Sequence, residues 1–141
     1  MSEPEKEKWK AIWNDHIVRV TYRDTDQMNF VYYANYLVWF EMGRTELLRQ
    51  TGHTYKEFED MGYVLPVIRC VCEYKKPARY DDLIRIRTRI SHLSRASIIF
   101  SYQILDDNTG EIRAEGETKH ALLTKDGRVA RSGHILEKWF D

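Results

Sequence analysis

The residues best suited to chemistry crowd into one stretch, Tyr22-Arg23-Asp24-Thr25-Asp26-Gln27-Met28-Asn29-Phe30-Val31-Tyr32-Tyr33. Two carboxylates, Asp24 and Asp26, stand just ahead of a segment, about Tyr33 to Gln50, whose apolar residues recur at helical spacing. The first amides of a helix lack intrahelical acceptors and carry partial positive charge, so they bind oxyanions. A carboxylate beside such amides suits hydrolysis of an activated acyl group. The acid activates water or attacks the carbonyl itself, and the amide takes up the charge developing on the carbonyl oxygen. Capping a turn is the other use of aspartates placed like this, and on spacing alone it is the commoner one.

Little else in the chain competes. The five histidines, His16, His53, His92, His120 and His134, show no metal-ligand spacing. His120 falls on the apolar face of a strand pattern, where a hydrogen-bonded core histidine is expected. Cys70 and Cys72, two apart on a strand, share a face; a bridge between them would be strained, and they read as reduced core thiols. No serine nucleophile elbow and no glycine-rich phosphate loop is present. Lys75, Lys76 and Arg79 form a basic cluster that suits either phosphates or solvent. Lys and Arg number 22 and Asp and Glu 22, a balance that argues against a dedicated nucleic-acid binder. No apolar run approaches the roughly 20 residues of a membrane helix. The charged N-terminus holds no signal-peptide core, so the expected location is the cytoplasm.

Stepping outward from the junction, the chain of 141 residues reads as one domain over residues 1–141, with 1–14 a charged lead-in. Residues Ser2 to Trp13 suggest a short helix carrying Trp9 and Trp13. His16 to Arg23 alternates as a strand, with Val18, Val20 and Tyr22 on one face. In the long helix, Leu37, Phe40, Arg44 and Leu47 form the apolar stripe, widened by Tyr36 and Leu48, and Gly52 stops it. A capping box, Thr54 and Glu57, opens a short helix to Met61. Val64 to Tyr74 reads as a strand buried on both faces or at a subunit contact. Asp82 to Ile90, Ala96 to Leu105 and Glu111 to Thr124 alternate as further strands, with turns at Asp106 to Gly110 and at Asp126-Gly127. The tail to Phe140 is expected to form a short strand and helix. One long helix against antiparallel strands is an α+β arrangement. The small residues Ala114, Gly116 and Thr118 mark where the helix is expected to approach the sheet. One helix leaves part of such a sheet uncovered, which predicts self-association.

Taken whole, the segment from Asp24 to Arg44 resembles the signature of the 4-hydroxybenzoyl-CoA thioesterase-like hotdog family, including its Tol–Pal-associated branch. That pattern runs Asp-x-Asp-x-x-Gly-x-Val-Tyr, continues to a further Tyr and ends in an aromatic-Glu-x-x-Arg, here Phe40-Glu41-Met42-Gly43-Arg44. Tyr74-Lys75-Lys76-Pro77-Ala78-Arg79-Tyr80-Asp81-Asp82 is similar to the family's entry to its next strand. The resemblance covers roughly Ile17 to Thr124 and implies a long central helix wrapped by a five- or six-stranded antiparallel sheet. It further implies a homodimer or dimer of dimers with sites at the subunit interface. The implied activity is hydrolysis of an acyl-CoA thioester to carboxylate and free coenzyme A, with no metal or prosthetic group.

Carried over residue by residue, the resemblance makes Asp26 the catalytic acid, as general base or nucleophile, and the Tyr33 backbone N–H the oxyanion donor. Asp24 takes a lesser role, shaping the loop. Asn29, Val31, Tyr32, Tyr36 and Glu41 are the residues expected around the substrate. Glu41 serves equally as an ion-pair partner of Arg44, and Tyr36, Trp39 and Phe40 line an acyl pocket or fill core. Ser94 and Arg95 match a loop that contacts coenzyme A in relatives, although a solvated turn is the commoner fate of such an arginine. Lys75 and Lys76 are placed against the nucleotide phosphates of the partner subunit's ligand. Two positions depart from the pattern. Asn29 stands where the family has Gly, and Asn is the next most tolerant residue of left-handed backbone. Tyr33 stands where the Tol–Pal-associated branch has His, which removes an imidazole but leaves the backbone N–H. A non-catalytic acyl-CoA-binding module is the alternative reading. A hotdog hydratase is a third, which the absence of an Asp–His pair disfavours.

Overall fold

The computed structural model describes residues 7–130 and 135–140; His134 and the first six residues of the lead-in lie outside them. A 3-10 turn, Lys8–Ala11, buries Trp9 and delivers the chain into β1 (Trp13–Arg19). The other strands are β2 (Tyr63–Val64), β3 (Val67–Tyr74), β4 (Leu83–Leu93), β5 (Ser97–Asp106), β6 (Ile112–Ala121) and β7 (Leu123–Thr124). Five of them form one antiparallel sheet in the order β1-β4-β5-β6-β3, while β2 pairs with β7. The helices are α1 (Asn35–Gln50), α2 (Tyr55–Asp60) and α3 (Ile135–Trp139). This is the α+β hotdog arrangement that the sequence implies.

Alternation explains the sheet. Ile84, Ile86, Thr88 and Ile90 of β4, Ile98, Phe100, Tyr102 and Ile104 of β5, and Ala114, Thr118 and His120 of β6 are buried on the helix side. On the other side Arg85 and Arg87 pair with Asp15 and Asp107, and Arg89 lies over the Trp13 ring. Two glycines set the helix-to-sheet distance. A Cβ on Gly43 would stand 2.2 Å from Thr88 Oγ1, so α1 rests directly on β4. Gly116 leaves room for the Phe40 ring, 2.8 Å from where its Cβ would be. Phe40 then stacks on Tyr102 with centroids 4.2 Å apart and planes 6° from parallel. Burying a phenylalanine this fully contributes roughly 1.5–3 kcal/mol.

Several boundaries differ from the sequence reading, each for a local reason. The first strand starts at Trp13, inside the expected lead-in, and ends at Arg19. Beyond Val20 the Asp24 carboxylate accepts from Thr21 N and Oγ1, both at 2.8 Å, and turns Tyr22–Asp24 into a 3-10 helix with Tyr22 exposed. The buried stripe of α1 is Tyr36, Trp39, Phe40, Gly43, Leu47 and Leu48, so Leu37 is not in it and is 43% exposed. Glycine carries no apolar side chain to reveal the contacting side, and the expected stripe was centred beside it. Val64 to Tyr74 is broken at Leu65-Pro66, and β3 is an open sheet edge with Val67, Ile68 and Tyr74 exposed, not a strand buried on both faces. Accordingly Cys70 is an exposed free thiol rather than a core one, while Cys72, also free, is half-buried and packs against the core.

Candidate active site

Asp26 opens a tight hairpin. Its N–H donates to Phe30 O at 2.8 Å, its carbonyl accepts from Asn29 N at 3.0 Å, and Thr25 bridges to Val31. Closing so short a loop requires one residue in the left-handed region, and Asn29 takes it at φ +67°. The Gly-to-Asn departure is therefore accommodated by the backbone. Asp26 Oδ1 accepts from Met28 N at 2.8 Å and Phe30 N at 3.3 Å. Oδ2 has no partner among the described residues. Asp24 is spent on the loop itself, through Thr21 and through its carbonyl, which accepts from Tyr32 N at 2.8 Å.

The chain then enters α1 with two open amides. Val31 N donates to Ala78 O and Tyr32 N to Asp24 O, and helical donation resumes with Asn35 N to Tyr32 O. Between them, the N–H groups of Tyr33 and Ala34 have no acceptor among the described residues. Asp26 and Tyr33 line one cavity of about 350 Å³ together with Phe30, Val31, Tyr36, Tyr74, Lys75, Lys76 and Pro77. Tyr36 is buried against the rings of Trp39 and Tyr74, both 5.0 Å away, and its phenol accepts from Ala78 N. Burial pushes that phenol above its ordinary pKa.

Of the residues expected here, the structure unites Asp26, Val31, Tyr33, Tyr36, Lys75 and Lys76. Lys76 pairs with Glu111 at 2.7 Å, and both lysines stand at the cavity of their own Asp26. Asn29 sits at the hairpin tip, and the Tyr32 ring lies tilted against that of Tyr33 with half its surface exposed. Glu41 lies elsewhere, on a second cavity of about 570 Å³ with Arg44, Leu48, Leu65 and His120; its carboxylate stands 3.9 Å from Arg44. Trp39 and Phe40 are core. Ser94 and Arg95 lie in the β4–β5 turn, where Ser94 Oγ caps Ser97 N at 3.1 Å. Register places that turn beside Val67 and Ala121, at the sheet end opposite Tyr74 and Lys75. Eight residues of strand, roughly 25 Å, separate the two ends. Phe30, Tyr74 and Pro77 were missed as site residues, although Phe30 lies inside the Asp24 to Arg44 signature and the other two flank the lysines in the second segment quoted for the resemblance.

His120 is buried with both ring nitrogens engaged, Nδ1 with Leu65 O at 2.9 Å and Nε2 with Thr118 Oγ1 at 2.8 Å. Thr118 Oγ1 meets Tyr102 Oη at 2.6 Å, and Arg44 donates to Tyr102 Oη at 3.5 Å. Burial pulls the imidazole pKa down to about 4. Among the described residues no group of three or more His, Cys, Asp or Glu is arranged to hold a metal, and no helix is long and apolar enough to cross a membrane.

A carboxylate with one anchored and one open oxygen, on the same cavity as a residue whose amide is open just ahead of a helix, is the equipment of a hydrolase acting on activated carbonyls. The sequence matches the model of the thioesterase-like superfamily over residues 20–137, and the chain belongs to that family of thioester hydrolases. A protein of Aquifex aeolicus, named as an esterase, is 35% identical over 119 residues, 84% of this chain and 91% of its own. The acyl-CoA thioester hydrolase YbgC of Escherichia coli O6:H1 is 36% identical over 93 residues, 65% of this chain and 69% of its own. Among solved structures, the DHNA-CoA thioesterase from Staphylococcus aureus superposes with a TM-score of 0.84 at 26% identity, covering 90% of this chain and 85% of that one.

Proposed function

We propose that the chain is an acyl-CoA thioesterase that hydrolyses an acyl-CoA thioester to a carboxylate and free coenzyme A. The observation that carries this is one cavity lined by both Asp26 and Tyr33, whose Oδ2 and N–H have no partner among the described residues. The names of the relatives, the E. coli acyl-CoA thioester hydrolase among them, support the same substrate class. Asp26 as general base takes a proton from water, whose oxygen adds to the thioester carbonyl. As nucleophile it adds directly, and water then cleaves the acyl–aspartyl anhydride. Either way the carbonyl oxygen becomes an oxyanion against the Tyr33 N–H. Collapse breaks the C–S bond, and the departing thiolate becomes free coenzyme A by taking the proton held on Asp26 in the general-base route, or one from water in the nucleophile route. Lys75 stands at the mouth as a cation for the substrate's phosphates.

The open edge of β3 supports a homodimer. Antiparallel pairing of two β3 edges about a two-fold axis sets the Val67 end of one protomer beside the Tyr74 end of the other. This brings Ser94 and Arg95 of one subunit toward the Lys75–Lys76 mouth of its partner and covers Val67 and Ile68. The test is release of free thiol from short-chain, long-chain and aromatic acyl-CoA, with Asp26→Asn alongside. A fall in turnover of roughly 10²–10⁴-fold is expected for a general base. Saturable binding of acyl-CoA without turnover by the wild type would leave the non-catalytic binding module instead.

A further inference from the structure

We infer that Tyr74 is a positioning residue for this reaction: its phenol, donating to the Tyr33 carbonyl at 2.9 Å, holds the residue whose N–H receives the oxyanion. The inference rests on the thioesterase reading and adds to it a residue from the sheet edge.

The helix start cannot hold Tyr33 by itself. In a regular α-helix the Tyr33 carbonyl would accept from Leu37 N, but Leu37 N donates to Ala34 O at 3.1 Å. The Tyr33 carbonyl is left with Tyr36 N at 3.3 Å, a long contact of the tighter 3-10 kind. Ala34, at the cap position, has no side chain able to satisfy the turn. The missing restraint comes from β3, whose Tyr74 reaches across to the open carbonyl. Its ring is braced edge-on against Tyr36, at 5.0 Å and 87°.

The brace closes into a circuit. Tyr36 Oη accepts from Ala78 N at 3.3 Å, and Ala78 O accepts from Val31 N at 2.8 Å. Val31 bridges to Thr25 in the hairpin that carries Asp26. The acid and the amide are thus tied, through two tyrosines, to the same strand and the segment that follows it. Burial and the neighbouring Cys72 thiol raise the Tyr74 phenol above its ordinary pKa, so it stays a protonated donor at working pH. Tyr74→Phe keeps the ring that packs against Tyr36 and removes only the hydroxyl, so no cavity opens. What the change releases is the orientation of Tyr33.

The experiment uses Tyr74→Phe in the full chain. A fall in kcat of about tenfold is expected, with KM and Tm unmoved; removing an oxyanion donor outright costs roughly 10²–10³-fold. A second readout is the infrared stretch of a ¹³C-labelled thioester carbonyl in benzoyl-CoA, bound to the Asp26→Asn variant. That stretch should move to lower frequency on binding and relax toward its free value in Asp26→Asn/Tyr74→Phe. An unchanged kcat overturns the inference. So does a loss confined to KM or Tm with the carbonyl stretch unmoved, which would make Tyr74 a merely structural residue. If Asp26→Asn itself keeps wild-type turnover, the underlying site reading falls and this inference falls with it.

Discussion

The hydrogen-bonded chain through His120 has a direction that its two ends dictate. Arg44 can only donate and the Leu65 carbonyl can only accept, so the order is Arg44 to Tyr102, Tyr102 to Thr118, Thr118 to His120 Nε2, and His120 Nδ1–H to Leu65 O. A proton on Nε2 would force Thr118 to accept there. Its hydroxyl would then point back at Tyr102, whose own proton would lose its acceptor. Folding therefore holds His120 neutral, with a pKa of about 4 against an ordinary 6.5. Below pH 6.5 the unfolded chain gains a proton that the folded one refuses, so stability falls as pH drops toward 4 and levels off beneath it. Linkage gives a loss of about 2 kcal/mol between pH 7 and pH 5, rising to about 3 kcal/mol below pH 4. Guanidinium unfolding at both pH values, at one fixed protein concentration, measures it against His120→Gln, which keeps a donor and an acceptor but does not titrate. Wild type should lose about 2 kcal/mol more than the variant over that interval. Equal losses in the two proteins would refute the reasoning.

Two further perturbations follow from the backbone. Gly43→Ala forces a methyl to within 2.2 Å of Thr88 Oγ1 and 2.8 Å of Ile86, and should cost roughly 1–3 kcal/mol in denaturant unfolding. Asn29→Gly should leave stability and turnover near wild type, because the position already sits at φ +67°. Asn29→Val should lose about 1–2 kcal/mol in the same assay, together with turnover in thiol release, as the Asp26 hairpin reopens.

Alternation and turn residues made the strands from β4 to β6, their facing and the two helix stops legible in the sequence, because a two-residue period and a glycine at positive φ are local properties. The Asp26–Tyr33 junction was legible as a signature, and Val31 and Tyr36 line its cavity, whereas Lys75 and Lys76, expected against the partner subunit's ligand, line the cavity of their own Asp26. The side of α1 that touches the sheet was misjudged because Gly43, which makes the closest approach, contributes no apolar side chain to the pattern. Val64 to Tyr74 left two readings open, a strand buried on both faces or one at a subunit contact, because apolar content does not say what covers a strand. Glu41 was drawn into the site by its place in a motif, yet it is eight residues on from Tyr33, roughly 12 Å along the helix. Tyr74 escaped notice because its hydrogen bond spans 41 positions, a distance no local pattern encodes.

The open flank of β3 also has a history during synthesis. Within the protomer its sheet partner is β6, and about 40 residues separate the end of one from the start of the other. At roughly 5–20 residues per second, a nascent chain carries β3 for some 2–8 s before β6 exists to pair with it. Pro66 and Pro77 flank the strand but neither lies within it, which leaves the run Val67 to Tyr74 without the prolines that commonly blunt an edge. During translation, then, the same segment is bare on both edges, and crowded ribosomes on one message would bring such segments close together while each waits for its own β6.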